Sequence, residues 1–214
     1  GAAVGQSYGP SISADGRFVA FESSAAAIAG INGAGTSDIF IKDTQTGTFS
    51  TASQIGGVAA NGSSYNPEIS DNGRWVVYRS GADNLSTEDD NSVTNVFLFD
   101  TQTGSTTLVS RQSASAGGAG ANGNSDEPAI SANGRYVSFV SGAANLGANA
   151  FDQTFVRDLQ TNTTTLVSTA GGTAADGDSD YRSELSDDGR YIAFNSAGNN
   201  LSSLDTDGSV NDTF

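Results

Sequence analysis

Pro67-Glu68-Ile69-Ser70-Asp71-Asn72-Gly73-Arg74-Trp75-Val76-Val77-Tyr78, followed after a polar connection by Asn95-Val96-Phe97-Leu98-Phe99-Asp100-Thr101-Gln102-Thr103-Gly104, decides the fold, because the chain writes this passage almost four times. Gly16-Arg17, Gly73-Arg74, Gly134-Arg135 and Gly189-Arg190 recur at intervals of 57, 61 and 55 residues. Each pair is followed by an aromatic residue, small or β-branched residues and a second aromatic. A period of this length marks units that bury their hydrophobic faces only against one another.

Four strands are legible in each unit. The innermost are Ser11-Ile12-Ser13, Glu68-Ile69-Ser70, Ala129-Ile130-Ser131 and Glu184-Leu185-Ser186. Pro10, Pro67 and Pro128, the only prolines, stand before the first three, where a missing N–H suits a strand's first residue. Asp15-Gly16, Asn72-Gly73, Asn133-Gly134 and Asp188-Gly189 then predict two-residue hairpins with positive φ. The second strands, Phe18 to Phe21, Trp75 to Tyr78, Tyr136 to Phe139 and Tyr191 to Phe194, are apolar or small on both faces, as strands inside a layered stack are. Third strands are centred on Phe40, Phe97, Phe155 and Phe214. Asp43, Asp100 and Asp158 close the first three of these and open a turn into a Thr-rich outer strand. The prediction is an all-β propeller of about four four-stranded antiparallel blades, at about residues 7–56, 64–114, 125–171 and 180–214, the last without its outer strand.

The runs "PSISADGRFVAFESSA…SDIFIKDTQTG", "PEISDNGRWVVYRSGADNL…TNVFLFDTQTG" and "PAISANGRYVSFVSGAANL…QTFVRDLQTN" resemble the WD40-like (PD40) repeats of TolB-like β-propellers found in bacterial secreted and envelope proteins. The resemblance covers nearly the whole chain and implies the fold, but not an activity. It also implies more than four blades in a finished particle. The chain is therefore expected to be either an excerpt of a longer polypeptide or a protomer completed by its neighbour, with Asp212, Thr213 and Phe214 as the interface that would accept another strand.

Charge narrows the partners. The net charge is −15, from 24 acids of which 19 are Asp, against Lys42 and eight arginines. Nucleic acid is excluded as a partner on this balance. No apolar run approaches a membrane span. With no His and no Cys, Ser-His-Asp triads, thiol nucleophiles and most zinc or copper sites are ruled out, and a non-enzyme is expected. Glu68 and Glu184 recur at one inner-strand position and keep a carboxylate mechanism in view, although Ser11 and Ala129 stand there in the other repeats. Solvated acids on a channel rim are the plainer reading of both.

Two connections carry candidate metal ligands. Asp205, Asp207 and Asp212 in the fourth repeat, and Asp89, Asp90 and Asn95 in the second, are short oxygen ligands alternating around a turn, a pattern that suits Ca²⁺. The closing glutamate of an EF-hand is absent, and the same residues serve equally as turn formers. The recurring arginines invite an anion-binding ring, but pairing with Asp43, Asp100 and Asp158 is the favoured role. Trp75 aligns with Phe18, Tyr136 and Tyr191 and reads as core, not as a sugar platform. These residues point to a secreted or cell-surface scaffold for interaction, adhesion or self-assembly into oligomers or filaments, stabilised by Ca²⁺. The alternative is a glycan- or peptide-binding module, in the periplasm if TolB-like.

Overall fold

The computed structural model describes residues 5–25, 28, 36–89, 93–113, 118–205, 208 and 210–214. The first sheet runs in the order β1 (Ser7–Ile12), β2 (Phe18–Ser23), β3 (Asp38–Asp43) and β4 (Phe49–Thr51). After a small hairpin of β5 (Gln54–Ile55) and β6 (Val58–Ala59), the second repeats that order with β7 (Ser64–Ile69), β8 (Trp75–Ser80), β9 (Asn95–Asp100) and β10 (Ser105–Leu108). The third has β11 (Ser125–Ile130), β12 (Tyr136–Ser141), β13 (Gln153–Asp158) and β14 (Thr163–Leu166), and a second small hairpin of β15 (Thr169–Ala170) and β16 (Thr173–Ala174) follows it. The last sheet has three strands, β17 (Ser179–Leu185), β18 (Ile192–Ser196) and β19 (Asp212–Thr213). All pairings are antiparallel.

The core lies between sheets, as a repeat with no core of its own requires. Ile39, Ile41 and Ala20 of the first sheet meet Ile69, Val76, Tyr78 and Phe97 of the second. Val77, Val96 and Leu98 on the second sheet's other face meet Ile130, Val137, Phe139 and Phe155 of the third. Within each sheet one aromatic pair spans the second and third strands: Phe21 with Phe40, Tyr78 with Phe97, Phe139 with Phe155, and Phe194 with Phe214, at 5.7 to 6.0 Å between ring centres.

Two local expectations are corrected. The inner strands begin three residues before the prolines, and Pro10, Pro67 and Pro128 sit inside them at register shifts opposite β2, β8 and β12. The residue before each proline, Gly9, Asn66 or Glu127, takes positive φ, so the proline marks a β-bulge that bends the strand. In β17, without a proline, the shift is one residue longer and Tyr181 carries the positive φ. The hairpins that follow are four residues long, not two. Ser13 N–H bonds Phe18 O across residues 14–17, Gly16 N–H bonds Ser13 O, and Asp15 Oδ1 accepts from Arg17 N–H and the Ser13 hydroxyl. This side-chain closure makes a turn in which only the glycine needs the left-handed region.

Candidate functional site

One stacked column repeats at each junction between sheets. Arg17 lies over the Phe18 ring at 4.7 Å, Arg74 over Trp75 at 4.3 Å and Arg135 over Tyr136 at 4.8 Å. The same arginines clasp the acids at the end of the third strand, Arg17 to Asp43 at 2.9 Å, Arg74 to Asp100 at 2.8 Å and Arg135 to Asp158 at 2.6 Å, as expected for a structural pair. Each guanidinium holds its carboxylate below the usual range. Beneath each ring lies the hairpin glycine of the following sheet. A Cβ added to Gly73 would stand 2.4 Å from Phe18, one on Gly134 2.1 Å from Trp75, and one on Gly189 2.0 Å from Tyr136. The column is thus acid, arginine, aromatic ring, then the next sheet's glycine.

At the two outermost faces the same parts stand uncovered. Gly16 has open space where a ring would sit. Ile12 is 60% exposed, whereas its equivalents Ile69 and Ile130 are 5% and 6% exposed. On the last sheet Tyr191 is 69% exposed under Arg190, whose nearest acid among the described residues is Asp188 at 4.0 Å. A polar link follows the same rule. Ile69 N–H donates to Ser11 Oγ and Ile130 N–H to Glu68 Oε2, both one sheet back, while Glu184 in the equivalent place on β17 is exposed.

The predicted metal ligands fall in three environments. Asp89 is buried and accepts from Asn95 Nδ2 at 3.1 Å, while Asn95 Oδ1 accepts from the Ser110 hydroxyl, so these two residues come together. Asp205 has both carboxylate oxygens withdrawn from solvent. Asp212 is half-buried in β19 opposite Ser196, and Thr213 opposite Asn195. Asp90 and Asp207 lie outside the described residues. Among the described residues no three His, Cys, Asp or Glu side chains cluster as metal ligands would. The position of Asn95 recurs as Asp38 and Gln153, each accepting from a buried serine just after its sheet's outer strand, Ser53 or Ser168. Of the interface residues, Phe214 exchanges two backbone hydrogen bonds with Phe194.

The architecture has clear counterparts among solved structures. A putative TolB from Agrobacterium tumefaciens matches with a TM-score of 0.58 at 18% identity, over 100% of this chain and 66% of that one. TolB from Acinetobacter baumannii matches with a TM-score of 0.54 at 17% identity, over 89% of this chain and 38% of that one. The β-propeller domain of the Trilobed protease from Pyrococcus furiosus matches at 0.53 and 12% identity, over 91% and 50%. The fold is that of a β-propeller. No family model and no curated protein matches the sequence. The chain spans less than two thirds of both TolB chains, and at these identities the likeness carries the fold alone.

Among the described residues, cavities open between the blades on their hairpin side. One of about 910 Å³ lies between blades one and two, where Arg17 and Arg74 keep their acids. One of about 470 Å³ lies between blades two and three, bordered by the half-buried Trp75 and by Arg111, Arg135 and Arg157. Trp75 therefore packs against the core, with its faces held by Arg74 and Gly134, and also borders this cavity, more than alignment with core aromatics indicates. Glu68 also departs from a solvated rim acid. Its side chain is 21% exposed, and burial pushes its pKa up to about 7 against the pull of Arg182 at 3.9 Å and the Ile130 N–H, with Glu184 adding to the rise. Its counterpart Glu184 is exposed.

Proposed function

We propose that this chain is a non-enzymatic propeller scaffold of the cell surface or secreted space, working through contacts of its outermost blades with further blades of the same repeat, including those of a second copy. The observation that carries this reading is the match between its two free faces. Tyr191 is the ring that every internal junction places on a hairpin glycine, and Gly16 is such a glycine with its place open. Glu184 would accept from Ile12 N–H as Glu68 does from Ile130 N–H. The edge formed by Asp212, Thr213 and Phe214 adds a second contact by strand pairing. A contact that joins unlike faces closes a ring if the rotation allows and otherwise grows a filament.

Light scattering after size exclusion, together with negative-stain imaging, tests this. Oligomers that grow with concentration and dissociate in Tyr191→Ala are expected. A monomer at every concentration up to submillimolar would end the assembly reading, and glycan-array signals from that monomer would favour the binding module.

Calcium belongs to the same proposal as a stiffener of the loops holding Asp89, Asn95 and Asp205. Ca²⁺ should raise the melting temperature by roughly 5 °C at saturation, a few kcal/mol by mass action, and EGTA should reverse it. An identical melting curve with Ca²⁺ and with EGTA removes calcium from the account.

A further inference from the structure

The cavity between blades two and three holds a charge that packing does not explain. Arg157 of β13 occupies the position filled by Phe99 in β9 and Lys42 in β3, each opposite a valine of its blade's second strand. It is 3% exposed. Its guanidinium donates to Thr164 Oγ1 at 2.8 Å, to Arg111 O at 3.4 Å and to Asn162 Oδ1 at 3.4 Å, all neutral acceptors. Among the described residues no carboxylate lies within 4.0 Å of it. The nearby cation makes the position worse rather than better. Arg111 is itself buried, and burial first and Arg111 second pull Arg157 down to about 10 against a smaller opposing pull from Glu88, which leaves it cationic at neutral pH.

A buried guanidinium without a counter-ion forfeits hydration that neutral acceptors return only in part. Phe99 shows that the position can be filled by an apolar side chain at no such cost. In a chain of net charge −15 with 24 acids, a buried arginine whose direct hydrogen-bond acceptors are all neutral, with Glu88 acting on it only from beyond Arg111, is a departure from the general balance. The Arg135 and Arg111 guanidinium groups on the same wall are already engaged, by Asp158 and by Glu88. Among the described residues of this wall, Arg157 is the arginine without a carboxylate within 4.0 Å.

The remaining walls indicate what the anion is attached to. Trp75 and Leu98 offer apolar surface, Asn133, Gln160 and Thr107 offer amide and hydroxyl groups, and Asp100, the lining carboxylate among the described residues, is neutralised by Arg74 at 2.8 Å. The volume falls in the range of small-molecule sites, about 300–1,000 Å³. We propose that this inter-blade cavity binds an acidic sugar, its carboxylate on Arg157 and its ring against the edge of the Trp75 indole, whose two faces are covered by Arg74 and Gly134. The site is independent of assembly, since no residue of the two outermost blades takes part.

Trp75 is the only tryptophan, so its fluorescence reads the cavity directly in the unaltered protein. Sodium glucuronate should change its emission saturably and bind about tenfold or more tightly than glucose, which lacks the charge. Arg157→Met should abolish the difference between the two sugars. If that variant does not fold, the comparison in the wild-type chain decides alone. No saturable change with glucuronate, an equal response to glucose, or an unchanged preference in a folded Arg157→Met would each overturn the proposal. Sodium sulfate binding as tightly as glucuronate would mean a site for any small anion and would overturn the sugar assignment.

Discussion

Gly134→Ala is expected to destabilise the protein by about 3 kcal/mol, while the same change at Gly16 should cost about 1 kcal/mol. The two glycines occupy equivalent hairpins with nearly the same backbone, φ of 74° and 70°. Alanine in the left-handed region therefore carries a similar penalty at both. The difference lies outside the hairpin. At Gly134 the new methyl group would stand 2.1 Å from Trp75 Cδ1, and the indole is fixed from above by Arg74, so ring and turn must separate. At Gly16 nothing stands within 4 Å. Urea denaturation of the two variants measures the gap. Equal losses would mean that the ring does not press on the glycine and that the column is not what joins the blades.

That comparison marks what the amino-acid pattern discloses and what it withholds. The recurrence of Gly-Arg-aromatic gives the number of blades, the order of strands and the pairing of Arg74 with Asp100, since each is a matter of spacing within one repeat. The socket formed by Gly134 for Trp75 is a contact across 59 positions, and a glycine in a hairpin already has a sufficient local reason to be there. The bulges at Asn66 and Glu127 were hidden for a similar cause: a proline reads as a strand boundary, and only the pairing of β7 with β8 shows that the strand continues past it. Asn-Gly satisfies a two-residue turn in isolation, whereas Asn72 here accepts from Arg74 N–H and the Ser70 hydroxyl, which closes a four-residue hairpin. Arg157 gave no signal at all, because burial of one member of a Thr-Phe-Val-Arg-Asp strand depends on which blade faces it.

Glu68 should make the protein more stable in mildly acidic solution than at neutral pH, by about 3 kcal/mol between pH 8 and pH 4 to 5. Its ordinary pKa of 4.5 rises to about 7 in the folded state, so folding takes up a proton between these values. The stabilisation is fully present below the unfolded pKa and is lost as pH rises through the folded one. The acids held down by arginine, Asp43, Asp100 and Asp158, act in the opposite sense, adding stability above the ordinary carboxylate range that is lost as pH falls below it. The two trends place the optimum near pH 5. Glu68→Gln keeps an oxygen for the Ile130 N–H and removes the titration, so it should be more stable than the wild type at pH 8 and nearly equal to it at pH 5. Urea melts of both proteins at the two pH values measure the effect. Parallel pH profiles would mean that water reaches the Glu68 carboxylate freely, and that the inner strands of blades two and three are less tightly joined than the hydrogen bond to Ile130 indicates.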